Sequence, residues 1–239
     1  MSLFNDLRTI YNASFRSIRG EEHADRMAAL YGPQAETYDD FRRRSLPGRG
    51  QLCELVELFP GATWIDFGGG TAANLEFVAK KIPELNRVYI VDVCGPLLEM
   101  ARRRCKEHGW TNVECVEADA GSFQPDSAVD VVTFSYSLSM MPNWLTTLKH
   151  AHDLLKPGGR IGVVDFYIAR KFPADGLQRH GWFTRTFWPL WFAHHHVNIS
   201  ADHLPALRNY FHQQHLREDR IRLPYMLVRA QFYLLMSAR

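Results

Sequence analysis

Long apolar runs are missing from this chain. No stretch of its 239 residues reaches the ~18 consecutive apolar residues that a bilayer-spanning helix needs. Cysteine is sparse and scattered: Cys53, Cys94, Cys105 and Cys115 include no Cys-x-x-Cys pair. That spacing points to free, mostly buried thiols in a reducing compartment rather than to a disulfide framework. Charge of one sign is also lacking. The formal net charge of +2 is too small to argue for nucleic acid. No secretory leader is expected, since Asp6 and Arg8 interrupt the first residues. A cytoplasmic protein is expected, with attachment to the inner face of a membrane left open. There is no internal repeat and no low-complexity tract.

What the chain does have, from Thr63 onward, is strand and helix in alternation. Strands are expected at Thr63–Phe67, Arg87–Val93, Val113–Glu117, Val129–Ser135 and Arg160–Phe166. Helices are expected at Ala72–Lys81, Pro96–His108 and Trp144–Leu155, the last stopped by Lys156-Pro157-Gly158-Gly159. The strands are nearly continuous in apolar character, as parallel strands covered on both faces should be. Two closing strands, Arg217–Pro224 and Leu227–Ser237, follow a helix at Asp202–His212. The expected fold is therefore α/β: a doubly wound, mostly parallel sheet of seven strands. Residues 1–60 read as an N-terminal helical lid, broken at Tyr31-Gly32-Pro33 and Pro47-Gly48, and residues 61–239 as the main domain. Within it, residues 176–212 form an aromatic-rich insertion.

The densest signal is Asp66-Phe67-Gly68-Gly69-Gly70-Thr71, where a strand ends in a glycine turn and a helix begins. Bare backbone at a strand's carboxyl end suits a nucleotide-like ligand. Glycines there let the chain approach where a Cβ would push a ligand away. Asp66, Asp92 and Asp119 each end a successive strand, so three carboxylates share one sheet edge. Asp66 is expected to shape the loop and accept from a ligand ammonium, directly or through water. Asp92 is placed for two ribose hydroxyls, and Asp119 for an exocyclic adenine amine. A dinucleotide fingerprint, Gly68-x-Gly70-x-x-Ala73 with Asp92, is the rival reading. Against it stand the negative charge of Asp66 beside a pyrophosphate and the extra acid Asp119.

The three acidic motifs in this order resemble those of class I S-adenosylmethionine-dependent methyltransferases, which implies a Rossmann-like domain. Further stretches are similar to the methyltransferase unit of betaine lipid synthases. They are Tyr38-Asp39-Asp40-Phe41-Arg42, Leu46-Pro47-Gly48-Arg49, Phe134 to Pro142, and Phe187-Trp188-Pro189-Leu190-Trp191-Phe192-Ala193-His194. The resemblance implies successive N-methylation of diacylglyceryl-homoserine, with S-adenosylhomocysteine as by-product. It also implies a separate homoserine-transferring partner enzyme and a membrane surface that holds the lipid. Other lipid amines, an ornithine lipid or phosphatidylethanolamine, are the alternatives, followed by a nicotinamide-dependent reductase.

Carried onto this chain, the donor site comprises Asp66, Gly68, Gly69, Gly70, Thr71, Asn74, Asp92, Val93, Leu97, Asp119, Ala120, Ser135 and Arg49. The acceptor site comprises Arg44, Tyr136, Ser137, Trp191 and His194. Arg44 or Arg49 could meet the carboxylate of acceptor or donor, or be a solvated charge. An α-amino group titrates near ~8, so no strong base is required. Tyr136, Tyr38 and Tyr31 are the candidates to position the amine and pass its proton outward. Their ring faces would also suit a quaternary ammonium product. His194-His195-His196 is not expected to bind metal, because adjacent side chains on one element diverge. The aromatic stretch Trp182–Phe192 reads either as packing or as an acyl groove or interfacial anchor. Nucleic-acid methylation is disfavoured. Ser135-Tyr136-Ser137-Leu138 occupies the place of an acid or Asn with Pro-Pro, and no basic stripe accompanies it.

Overall fold

β-Branched and aromatic residues dominate the segments that end at the glycine turn and its counterparts, and each becomes a strand. The computed structural model describes residues 24–27, 39, 42–43, 45–194, 197–223 and 226–239. Its strands are β1 Thr63–Phe67, β2 Arg87–Asp92, β3 Val113–Glu117, β4 Val129–Ser135, β5 Leu155–Phe166, β6 His212–Arg222 and β7 Arg229–Ala238. They form one sheet in the order β3-β2-β1-β4-β5-β7-β6. Strands β1 to β5 pair in parallel, and β7 inserts antiparallel between β5 and β6. The chain order reverses between β1 and β4, which opens the crevice where α/β sheets bind ligands.

The helices are α1 Arg49–Leu55, α2 Gly95–Glu107, α3 Trp144–Leu154, α4 Trp182–His194 and α5 His203–Tyr210. On one face of the sheet Leu52, Leu98, Ala101, Trp188 and Phe192 join Trp64, Val131 and Leu234 in one core. On the other, Leu148, Ala151, Leu204 and Leu207 pack with Ile65, Phe134, Val163 and Tyr233. Helix α1 is part of this packing. A Cβ on Gly162 of β5 would lie 2.5 Å from Val56 and 2.8 Å from Leu52.

Three segments differ from their sequence-based expectations, one of them β6, which begins at His212 rather than Arg217. Ala72–Lys81 is not an α-helix but a 3₁₀ helix at Ala73–Val78, followed by a short 3₁₀ turn at Ile82–Glu84. Ala72 sits at φ 58°, so the segment is entered through a left-handed residue, and Pro83 blocks continuation. β5 begins at Leu155 rather than Arg160, because Leu155 already pairs with Val129 across an irregularity in register. The aromatic stretch, to which the sequence assigns no element, is helical through Pro189. Proline forfeits one intrahelical bond, and burial of Trp188 and Phe192 on either side offsets that loss.

Candidate active site

Two hydrogen bonds from backbone to one carboxylate set the geometry of the glycine turn. Gly70 N donates to Asp92 Oδ2 at 2.9 Å, and Cys94 N donates to Asp92 Oδ1 at 2.9 Å. Asp92 thus ties the loop after β1 to the loop after β2. Burial pushes its carboxyl above the usual carboxylate range, against the pull of those N–H groups and of Arg42. Gly68 is required twice over. Its φ is +67°, and a Cβ there would meet Ser137 Cβ at 2.4 Å. A Cβ on Gly69 would meet Ile90 Cγ2 at 2.8 Å.

Asp66 lies behind this turn. Asn74 Nδ2 donates to its Oδ2 at 2.8 Å, and Thr133 Oγ1 donates to its Oδ1 at 2.6 Å. Trp64 Nε1 in turn donates to Thr133 Oγ1 at 2.8 Å, and Arg49 Nε to Asn74 Oδ1 at 2.9 Å. Burial raises the Asp66 carboxyl, while Thr133, Asn74, Arg49 and Arg42 pull it down. Four elements converge on this carboxylate, and its side chain has no exposed surface. Its work is to fix the glycine turn from beneath.

Above the turn lies a cleft whose empty space, open mouth included, is about 900 Å³. Of the residues expected at the donor site, Gly68, Gly70, Asp92, Val93, Leu97, Asp119 and Ala120 form its walls, together with Tyr136 and Ser137. Asp119 Oδ1 accepts from Gly121 N at 2.7 Å, which aims the exposed carboxylate along the cleft edge. Ser137 Oγ donates to Phe67 O at 2.6 Å. Tyr136 has φ 54°, a left-handed conformation that is costly for an aromatic residue. Its hydroxyl donates to Pro47 O at 2.8 Å, and its ring packs 4.8 Å from that of Phe166. Burial first, then Asp165, raises the phenol well above its usual range.

Other expected residues stand back from these walls. Asp66, Gly69, Asn74 and Arg49 belong to the support beneath the turn. Thr71 Oγ1 donates to Asp39 Oδ1 at 2.6 Å, and its carbonyl accepts from Arg104. Ser135 is buried in β4, where its carbonyl accepts from Arg42 Nη2 at 3.3 Å. Trp191 packs against Trp188 and Phe192 within α4, and His194 is exposed at the end of that helix. Tyr31, Tyr38, Arg44, His195 and His196 lie outside the described residues. Among the described residues no three His, Cys, Asp or Glu side chains gather as a metal site.

Sequence reasoning missed several wall residues. Arg42 is buried and reaches over the glycine turn, its Nη1 3.4 Å from where a Gly70 Cβ would sit. It occurs in the Tyr38–Arg42 stretch, but nothing in the sequence says where a side chain of that length ends. Met27, Met140, Met141 and Asn143 also line the cleft.

A family model described as the ubiE/COQ5 methyltransferase family matches residues 48–178. The chain is similar to the ubiquinone/menaquinone biosynthesis C-methyltransferase UbiE of Escherichia fergusonii, with 29% identity over 161 residues. The matched stretch spans 64% of this chain and 63% of that protein's length. Among solved structures, the N-methyltransferase NodS from Bradyrhizobium japonicum WM9, in complex with S-adenosyl-l-homocysteine, is similar with a TM-score of 0.65. Identity to it is 16%, covering 89% of this chain and 98% of that one. The [4+2]-cyclase SpnF is similar with a TM-score of 0.67 and 17% identity, covering 94% of this chain and 99% of that one. At such identities the two likenesses carry the fold alone, a seven-stranded Rossmann-like sheet with flanking helices.

Proposed function

The chain belongs to the ubiE/COQ5 methyltransferase family, and from that premise we propose that it is an S-adenosylmethionine-dependent methyltransferase acting on the amine of a lipid head group. The residues present fit that cofactor. Gly68 and Gly70 bring bare backbone to the cleft wall, and Arg42 and Asp92 face the cleft with opposite charges. Asp92 has one lone pair of each oxygen committed to backbone and the other left for ribose hydroxyls. Asp119 suits an adenine amine, and Arg42 a carboxylate. The bound cofactor supplies a methyl group already activated by a sulfonium, so the protein's work is alignment and exclusion of water.

The observation that carries the choice of acceptor is the chemistry of the wall beyond the glycine turn. Tyr136, Met140 and Met141 form it, and no His or Lys lines the cleft among the described residues. The Tyr136 phenol, held well above its usual range, stays protonated at neutral pH. Such a wall suits an acceptor whose nucleophile needs no strong base. An amine that titrates near ~8 needs no such base, and the phenol oxygen can position it and hand its proton to water. Diacylglyceryl-homoserine, methylated up to three times after a homoserine-transferring enzyme has built it, is the acceptor this reading favours.

Likeness to UbiE favours a second reading, transfer to carbon of an already activated ring. The nicotinamide alternative is set aside by the family. One experiment separates the remaining two. The protein is incubated with methyl-labelled S-adenosylmethionine and, in separate reactions, diacylglyceryl-homoserine, phosphatidylethanolamine, an ornithine lipid and a prenylated quinol. Mass spectrometry then locates the label. Trimethylated diacylglyceryl-homoserine is expected. Label confined to a ring carbon overturns the amine reading in favour of the second.

A further inference from the structure

A surface helix ordinarily turns charged side chains to water. Helix α4 does the reverse. At about 100° per residue, Trp182, Phe183, Thr186, Leu190 and Ala193 fall within one arc of about 100°, and all five are exposed. Trp182 is 74% exposed, Leu190 70% and Phe183 52%. The opposite side of the helix is already occupied. Trp188 and Phe192 are buried in the core, and Trp188 Nε1 donates to Arg229 O at 2.9 Å. That bond brings the β6–β7 connection alongside, where Leu227 is 90% exposed.

Helix α4 itself carries no acidic side chain, while Glu218 and Asp219 of β6 lie between Arg217 and Arg220, and Glu218 Oε2 accepts from Gln178 N at 2.9 Å. From Gly176 to Ala201 the chain contains no Asp or Glu. Arg179 and Arg185 lie in that stretch, and Arg220, Arg222 and Arg229 flank the neighbouring connection. Burial, then Arg220 and Arg185, lower the His180 ring to about 4. Apolar and aromatic side chains at the tip with arginines behind them match the layered chemistry of an anionic bilayer surface.

We infer that α4 lies in the interfacial layer of a membrane carrying anionic lipids, with Trp182, Phe183 and Leu190 inserted and the surrounding arginines against phosphates. The helix is joined to the cleft by an aromatic chain. Phe192 packs 4.7 Å from Phe166, and Phe166 4.8 Å from the cleft-wall residue Tyr136. A bilayer under the outer face therefore sits about one helix diameter, ~10 Å, from that chain. This inference goes beyond the proposed reaction and is tested without any acceptor amine.

The full chain is sedimented with vesicles of phosphatidylcholine alone and of phosphatidylcholine mixed with phosphatidylglycerol, neither of which carries a methylatable amine. Stronger binding to the mixed vesicles is expected, weakened by salt, with tryptophan emission quenched by brominated acyl chains. A Trp182→Ala/Phe183→Ala/Leu190→Ala variant with unchanged circular dichroism should lose at least tenfold in vesicle affinity. A Trp182→Ala single variant, if the triple variant misfolds, should lose most of the quenching. The inference is overturned if the wild-type chain binds neither vesicle, or if these variants bind and quench as wild type does. It is equally overturned if the wild type self-associates through this face, and the triple variant is monomeric, with no vesicle binding.

Discussion

Removing the Asp92 carboxylate should abolish most of the donor affinity. In the structure this side chain receives two backbone N–H groups, from Gly70 and Cys94, and keeps one lone pair on each oxygen for a ligand. A hydrogen bond to a charged group contributes ~1.5–3 kcal/mol net. Two ribose hydroxyls then put the loss in Asp92→Ala at ~3 kcal/mol or more, which is ~100-fold in Kd. Asp92→Asn keeps one acceptor oxygen but turns an amide NH₂ toward a backbone N–H, and should lose ~10-fold or more. Isothermal titration with S-adenosylhomocysteine reads both values. Circular dichroism and thermal melting show whether the loop that Asp92 ties has kept its fold. A folded Asp92→Ala protein that binds within about twofold of wild type refutes the ribose assignment.

Gly68→Ala should fail more severely than Gly70→Ala, because a Cβ meets Ser137 at 2.4 Å at the first position and Arg42 Nη1 at 3.4 Å at the second. Overpacking and the left-handed backbone put the first at ~3 kcal/mol or more in a denaturant melt and the second nearer ~1 kcal/mol. Tyr136→Phe should lower kcat while leaving donor affinity near wild type, since the hydroxyl meets Pro47 O and not the glycine turn. Steady-state kinetics beside titration would expose the opposite pattern. Asp165 is fully buried, accepts from Ser139 N and Oγ, and has its carboxyl raised to about 6 by burial. The folded state therefore holds this proton more tightly than the unfolded chain. Stability from it is present at low pH and falls as pH rises from ~4 to ~6. Taking pH from 7 to 5 should stabilise the wild type relative to Asp165→Asn by ~1 kcal/mol. A gap between the two that does not move with pH contradicts that assignment.

The glycine turn and the strand-end acids were legible because their signals are local. Asp66 to Thr71 carries its own strand end and turn, and Asp92 and Asp119 mark their strands by position alone. The parallel pairing of β1 to β5 was legible from the helical segments that connect them. What a side chain does at a strand end is not local. The sequence offers Asp66 for both loop and ligand, and only the structure shows Asn74 and Thr133 donating to it beneath the turn, with Trp64 behind Thr133. Arg42 went unassigned because its reach to Ser135 O crosses 93 residues of sequence. Helix α4 was hidden by Pro189, whose penalty only the core around Trp188 offsets. The early start of β6 was hidden by the polar, exposed character of His212 to His215 on an edge strand.

The central claim is that a sulfonium cofactor lies over Gly68 to Gly70, between Arg42 and Asp92. A crystal structure of the protein with S-adenosylhomocysteine tests it most directly. Ribose hydroxyls within hydrogen-bonding distance of Asp92, and a carboxylate at Arg42, are the predicted result. A saturated crystal whose cleft is empty, or whose ligand lies elsewhere on the sheet, would contradict it.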